Sequence, residues 1–573
     1  MPFGCKNNKN ITAFCFLNLH FCTKTVLMKR YFLLLLASAG PLMVAAKKQS
    51  KVEKPKLVVG VVIDQMRWDY LYRFNDQFGN NGFKRLMRDG FNCQNTMINY
   101  LPSFTAPGHS CVYTGSVPAI HGIAANDWID NFTGKSTYCV DDNSVRDITD
   151  GDTLEKSMSP KNLLASTITD ELRLATNFRS KVYGVAIKDR GSIIPAGHLA
   201  NGAYWLDDSG GNFCSSTFYK NSSPTWLRSF NKRHVPDSLI NLDWNLTDPT
   251  KAIYTQSLAD NNKYEGSFKG EKEPVFPHKI SGLTGKTRYN SFKATPAGNT
   301  LTLMAAKACL EGENMGTGSE FTDFLCVSLS STDYVGHQFA PNSIEIEDTY
   351  IKLDKELGDF LNYLDATYGK GNYLFFLTAD HGAAHNPEFL TDEKMQAGFL
   401  AKDIKSSVNS YLKNVFNQDS LVSNFTNYQF YLNETLIANS KLDRNKVKET
   451  IAECLNKRPE LAYVIDMEHI DRTPLPEPIH TMVVNGYYHG RSGCMEVIPN
   501  PGWFEGYSKT GTTHGTWNPY DAHIPLLWFG WNIPKGETHS VVNMTDISAT
   551  LAALLHIQMP NGCIGKPIVE IVK

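Results

Sequence analysis

The segment Leu377-Thr378-Ala379-Asp380-His381-Gly382 follows directly on an apolar run at 373–376, so a carboxylate and an imidazole stand side by side where a buried strand ends. An α/β sheet places its chemistry at such strand ends. Oxygen and nitrogen donors together also suit zinc. Asp64 closes a second run, β-branched, at 56–63. Asp333 and His337 follow a third run, at 324–329, in what reads as a loop. His514 sits in Gly511-Thr512-Thr513-His514-Gly515, where the glycines permit tight turns. With the hydroxyl of Thr105, the candidate ligands are Asp64, Thr105, Asp333, His337, Asp380, His381 and His514. Three carboxylates and three imidazoles on one sheet edge would suffice for two zinc ions about 4 Å apart, the spacing of two-metal hydrolysis. Singly, each residue has an ordinary reading: an Asp after a strand caps a turn, and a lone His is a satisfied polar group. The joint pattern carries the argument. His121, in Ala119-Ile120-His121-Gly122, reads as structural.

The stretch 99–110 is dense in turn formers, and Thr105 reads there as the N-cap of a helix over 104–114, with Pro107 in the first turn. A helix N-terminus also attracts anions through its free N–H groups. A hydroxyl at that place, coordinated to a metal, can become a nucleophile near neutral pH. Lys188-Asp189-Arg190 follows a strand at 181–187. Residues two apart in extended chain point the same way, so both cations could address one anion, Arg as a fork and Lys as a point charge. The plain alternative is a solvated loop. Asn126, in Ala125-Asn126-Asp127-Trp128, could donate its amide to a phosphoryl oxygen or serve only as a turn residue.

These residues need a scaffold. Strands are expected at 56–63, 181–187, 324–329, 372–377 and 523–529, with helices at 82–88, 104–114 and 546–556. Runs that are apolar throughout suit strands buried on both faces. Strands alternating with helices predict an α/β fold with a mostly parallel central sheet flanked by helices. Two stretches, about 200–295 and about 390–510, break the alternation and read as large insertions over the strand ends.

The chain has 573 residues, 42% of them apolar and 11% aromatic, with a net charge of −2. That composition is globular, and the absence of a long basic run argues against a nucleic-acid partner. Met28-Lys29-Arg30, an apolar stretch at 31–39 and Val44-Ala45-Ala46 have the order of a signal peptide. Residues 1–46 therefore read as an upstream extension plus signal peptide starting at Met28, and 47–573 as the catalytic domain. Export to the periplasm or medium is expected. No later run is long enough to span a membrane, so the mature form should carry no stable span. Nine of the twelve cysteines lie beyond residue 46, an odd number with no readable pairing.

The motifs together resemble the alkaline phosphatase superfamily, and most closely its PafA-like periplasmic, phosphate-irrepressible phosphomonoesterases of Bacteroidetes. The resemblance rests on residues 61–70, 104–109, 113–118, 122–128, 188–190, 331–337, 378–382 and 514–516, across nearly the whole chain after 58. It implies two zinc ions, one held by Asp333, His337 and His514, the other by Asp64, Asp380 and His381 with the Thr105 oxygen. It implies that Thr105 is the nucleophile of a phosphothreonine route, and that Asn126, Lys188 and Arg190 hold the phosphoryl group. Small-molecule phosphate monoesters are the substrates so implied, and a monomer is expected. A phosphodiesterase or nucleotide pyrophosphatase on the same scaffold is the alternative. The Lys188/Arg190 pair disfavours it, because a monoester dianion has more free oxygens to fill such contacts. A sulfatase would need a Cys-x-Pro-x-Arg frame, and positions 105 and 109 are Thr and His. A noncatalytic metal- or carbohydrate-binding protein would need no hydroxyl at 105.

Overall fold

Leu57–Ile63 (β1) reads LVVGVVI, and every residue of it is buried. It lies between Asp323–Leu329 (β4) and Tyr373–Thr378 (β5), parallel to both. Next to β4 come Val182–Ala186 (β2) and then Gly202–Leu206 (β3), also parallel. The register sets Ile63 opposite Leu329 and Val62 opposite Thr378. The turns bearing Asp64, Asp333 and Asp380 therefore leave the sheet at one level. The computed structural model describes residues 53–572, apart from 150, 151, 155, 319, 507 and 508. The signal peptide and the start at Met28 fall outside the described residues.

These five strands are the parallel centre of a twelve-stranded sheet whose flanks are largely antiparallel. Leu526–Gly530 (β6) pairs antiparallel with β5, and Phe213–Ser216 antiparallel with β3. The expected α/β fold with a parallel sheet centre flanked by helices is therefore present, with antiparallel strands added at the sheet's edges. Pro525 divides the expected strand at 523–529 into His523–Ile524 and β6, because proline cannot donate to a ladder.

Side chains alternate across the sheet, which assigns helices to its two faces. On the Gly60 side, Tyr113 of Thr105–Thr114 (α1) lies against Gly60, and Cys326 reaches Pro195 of Asp189–Ala196 (α2). On the Leu57 side lie Tyr368, at the end of Ile344–Tyr368 (α5), and its neighbour Ala297–Gly312 (α3). One helix, Ser331–Phe339 (α4), starts two residues after β4.

The stretch 200–295 is not an insertion from its start, since β3 and Phe213–Ser216 belong to the main sheet. The part beyond 216 holds three short helices and much irregular chain. The stretch 390–510 has its own four-stranded sheet and its own core, including Val408, Leu412, Phe430, Ile451 and Val497. Among the described residues nine cysteines are free. No helix among them is long and apolar enough to cross a membrane.

Candidate active site

Asp64, at the end of β1, is fully buried. Its Oδ2 accepts from Lys188 Nζ at 2.6 Å, and the same ammonium donates to Asp333 Oδ2 at 2.6 Å. Asp333 and His337 are not in a loop. They lie four apart on α4, one above the other, with His337 Nε2 3.1 Å from Asp333 Oδ1. His514 Nε2 is 3.7 Å from that same oxygen. His381 Nε2 is 3.6 Å from both Asp64 Oδ1 and Asp380 Oδ2. The rings of His381 and His514 stack with centroids 3.5 Å apart.

Each of these imidazoles is oriented by a backbone carbonyl. Nδ1 of His337 donates to Thr512 O at 2.8 Å, Nδ1 of His514 to Ser103 O at 2.8 Å, and Nδ1 of His381 to Gly382 O at 3.0 Å. A carbonyl only accepts, so a proton must sit on each Nδ1, which leaves each Nε2 facing the carboxylates. Metal-ligating histidines are held in this way. Burial brings His381 down to about 4 and His514 well below its ordinary value, so both are neutral donors at neutral pH. Burial also lowers His337, but Asp333 more than offsets it and the net direction is up. Burial and the adjacent Asp64 carboxylate push Asp380 well up.

The donors fit bound dications. Asp64 Oδ1 and Asp380 Oδ2 are buried without a hydrogen-bond partner among the described residues. Crowded buried carboxylates need a cation or a proton. Ligand atoms of Asp333, His337 and His514 lie within 4.8 Å of one another, as do those of Asp64, Asp333 and His381. Asp333 thus reaches both groups instead of one alone. Asp380 stands beside the second group through His381.

Thr105 is the first residue of α1 and not its cap. Phe104 occupies the cap position, and no side chain caps the helix. The Thr105 hydroxyl is therefore free of capping, and Oγ1 lies 3.4 Å from His381 Nε2. Asn126 Oδ1 accepts from Ala106 N at 2.9 Å, which fixes the amide at the same helix end. Lys188 and Arg190 are not in extended chain. Lys188 is the residue before α2, and Arg190 lies in its first turn. Burial would lower Lys188, yet Asp333 and Asp64 keep its ammonium charged. Arg190 donates instead to Tyr138 Oη at 2.9 Å. Both line a cavity of about 310 Å³ with Tyr138, Trp205, Lys293 and Tyr334. His121 is buried between Cys111 and the Ile123 N–H, a structural place.

The type I phosphodiesterase / nucleotide pyrophosphatase signature matches residues 58–521. The chain belongs to that family, within the alkaline phosphatase superfamily. It is 47% identical to alkaline phosphatase PafA of Elizabethkingia meningoseptica, over 95% of this chain and 99% of the relative. A crystal structure of PafA superposes with a TM-score of 0.88, covering 91% of this chain and all of the other. Alkaline phosphatase PhoV of Synechococcus elongatus is 49% identical over 92% of this chain and 96% of its own length. A Myroides odoratus protein named a calcium-transporting ATPase is 50% identical over 92% and 97% of the two chains.

Two residues of this family member's site escape a search by residue type. His109 on α1 donates from Nδ1 to Thr105 O at 2.9 Å, 3.4 Å from Asp380 Oδ2, while Nε2 meets Ser328 Oγ at 2.9 Å. Gln65 donates from Nε2 to Asp333 Oδ1 at 2.7 Å and from its backbone N to Asp380 Oδ1 at 3.1 Å. A neutral amide beside a motif Asp carries no signal in sequence. A His inside a helix carries only an ambiguous one.

Proposed function

We propose that this chain is an exported, zinc-dependent phosphomonoesterase in which Thr105 is the nucleophile. The supporting observation is the uncapped Thr105 hydroxyl, 3.4 Å from His381 Nε2 beside three carboxylates and three oriented imidazoles. Its relatives PafA and PhoV are named alkaline phosphatases. Asp333, His337 and His514 would hold one zinc, and Asp64, Asp380, His381 and the Thr105 oxygen the other. Bound zinc would lower the pKa of a hydroxyl or water and offset charge on the leaving oxygen.

The chain's own residues do the rest. Thr105 Oγ1 attacks phosphorus in line with the ester oxygen, which leaves, and water then cleaves the phosphothreonine. Asn126 and Arg190 hold the phosphoryl oxygens, and Lys188 adds positive charge beside them. The transition state is loose, so positioning and charge supply the catalysis. The cationic pair favours a monoester dianion over a diester.

The test is a panel of monoesters, diesters and sulfate esters, assayed with purified protein of defined zinc content. ATP belongs in it, because the Myroides relative is named an ATPase and the terminal phosphoryl group of ATP is also dianionic. Monoesters should be preferred. Thr105→Ser should keep substantial activity. Thr105→Ala should retain close to two zinc equivalents with a small residual rate. Transfer from a chiral labelled monoester to an alcohol should give net retention at phosphorus. Net inversion would mean direct attack by water and would remove Thr105 from the role of nucleophile.

A further inference from the structure

We infer that Gln65 is a positioning residue that holds the two carboxylate groups of the zinc site in register, and that Gly336 exists to admit it. The inference rests on the zinc-dependent reading above. Gln65 adopts φ +64°. Only glycine visits that region freely, and a residue with a side chain there costs on the order of 1–2 kcal/mol. A strained conformation persists only where surrounding interactions fix it, and such strain gathers at functional sites.

Here the fixing interactions are visible. The left-handed turn directly after Asp64 directs the backbone N–H of Gln65 to Asp380 Oδ1 at 3.1 Å. The side-chain amide meanwhile donates to Asp333 Oδ1 at 2.7 Å. One residue therefore ties the turn after β5 to helix α4, with its own neighbour Asp64 between them. Both acceptors are carboxyl oxygens, and a bond to an ionised one is charge-assisted.

Helix α4 shows the complementary cost. Gly336 lies in its interior, between Asp333 and His337, and glycine there is unfavourable by roughly 1 kcal/mol against alanine. A Cβ at Gly336 would lie 1.8 Å from Gln65 Oε1. The amide is thus lodged against the bare helix backbone, with its nitrogen on Asp333. Two locally unfavourable choices, far apart in sequence, meet at one contact that serves the zinc ligands. Packing alone would not require an amide there. It requires only a group that fits, whereas Asp333 Oδ1 requires a donor.

The test is zinc affinity measured by competition with a chromogenic chelator, together with thermal stability of the zinc-free chain. Gln65→Gly relaxes the backbone and keeps the N–H to Asp380, but removes the amide. Outer-shell partners of metal ligands are worth about 10–100-fold in affinity. Zinc should therefore bind 10–100-fold more weakly to Gln65→Gly, while the zinc-free chain melts no lower than the parent. Gly336→Ala should weaken zinc binding as well, by displacing the amide without altering it. Should Gln65→Gly not fold, Gln65→Met keeps the side-chain length without a donor or a charge and carries the same test. Zinc affinity within threefold of the parent in the folded variants would overturn the inference, whatever happens to stability. A parent chain that binds no zinc would instead overturn the functional reading on which it rests.

Discussion

Lys188 and Arg190 stand two residues apart yet serve different partners. Lys188 Nζ bridges Asp64 and Asp333, while Arg190 turns toward Tyr138. Their replacements should therefore behave differently. Arg190→Ala should lower monoester kcat/KM about 10–100-fold more than diester kcat/KM, since one charge-assisted contact is worth roughly 1.5–3 kcal/mol. Equal losses on the two ester classes would remove Arg190 from phosphoryl recognition. Lys188→Ala should in addition destabilise the zinc-free chain by about 3–5 kcal/mol, because two buried carboxylates lose their cation. Added zinc should restore most of that loss. A Lys188→Ala melting point that zinc does not raise more than it raises the parent would refute this account. At this scale the candidate residues could be picked out, because carboxylate, imidazole and hydroxyl are distinctive at strand ends. The direction each side chain takes was not. Nothing local tells that the Lys188 ammonium turns back to Asp64, 124 residues earlier in the chain.

At the scale of elements, α1 must bring Thr105 to the Asp380–His381 turn, and Gly108 lets it. A Cβ at Gly108 would lie 2.5 Å from Asp380 O and 2.7 Å from its Cβ. Gly108→Ala should push helix and turn apart, costing about 1–3 kcal/mol in stability as an overpacked contact. Catalysis should fall further, by about 100-fold in kcat/KM, because a 1 Å misplacement can cost that much. Gly282→Ala is the control, since its Cβ would meet nothing within 4 Å. Near-parental turnover by Gly108→Ala would show that the helix position is not what tunes Thr105. The helix itself was legible from its turn-rich start, and β1, β2, β4 and β5 from their apolar runs. The helical setting of Asp333 and His337 was not, because α4 lacks a side-chain cap at Ser330 and contains Gly336. The antiparallel partner of β5 comes from some 150 residues downstream, and no periodicity in either strand encodes that pairing.

At the scale of the whole molecule, the segment after Phe213–Ser216 braces the site from outside. Gly266 N donates to Gln338 O at 2.8 Å, and Gly511 N to Tyr264 O at 2.7 Å, so this segment touches both α4 and the loop of His514. It is anchored by a buried acid–imidazole cluster at the start of α5. His278 is fully buried, with Nδ1 3.0 Å from Glu271 Oε1 and Nε2 3.0 Å from Glu345 Oε1. Burial would lower His278, but the two carboxylates win and raise it to about 9 from 6.5. A histidine raised on folding contributes stability that is complete below its unfolded pKa and is lost as pH rises through its folded one. The nearby Glu265, pushed up to about 9 by burial and by Glu345, acts with the same sign, because ionising it opposes folding. Stability should therefore fall as pH rises from 4.5 to about 9 through Glu265 and from 6.5 to about 9 through His278. The histidine's share is at most about 3 kcal/mol, from a shift worth 1.36 kcal/mol per pH unit. The check is denaturant unfolding at fixed zinc across this range, with His278→Gln and Glu265→Gln beside the parent. Each variant should flatten the slope. Comparison with the parent cancels the pH dependence of zinc binding, which all three share. A variant slope equal to the parent's would show that the cluster does not hold its protons in the folded chain, and that this segment is braced by packing alone.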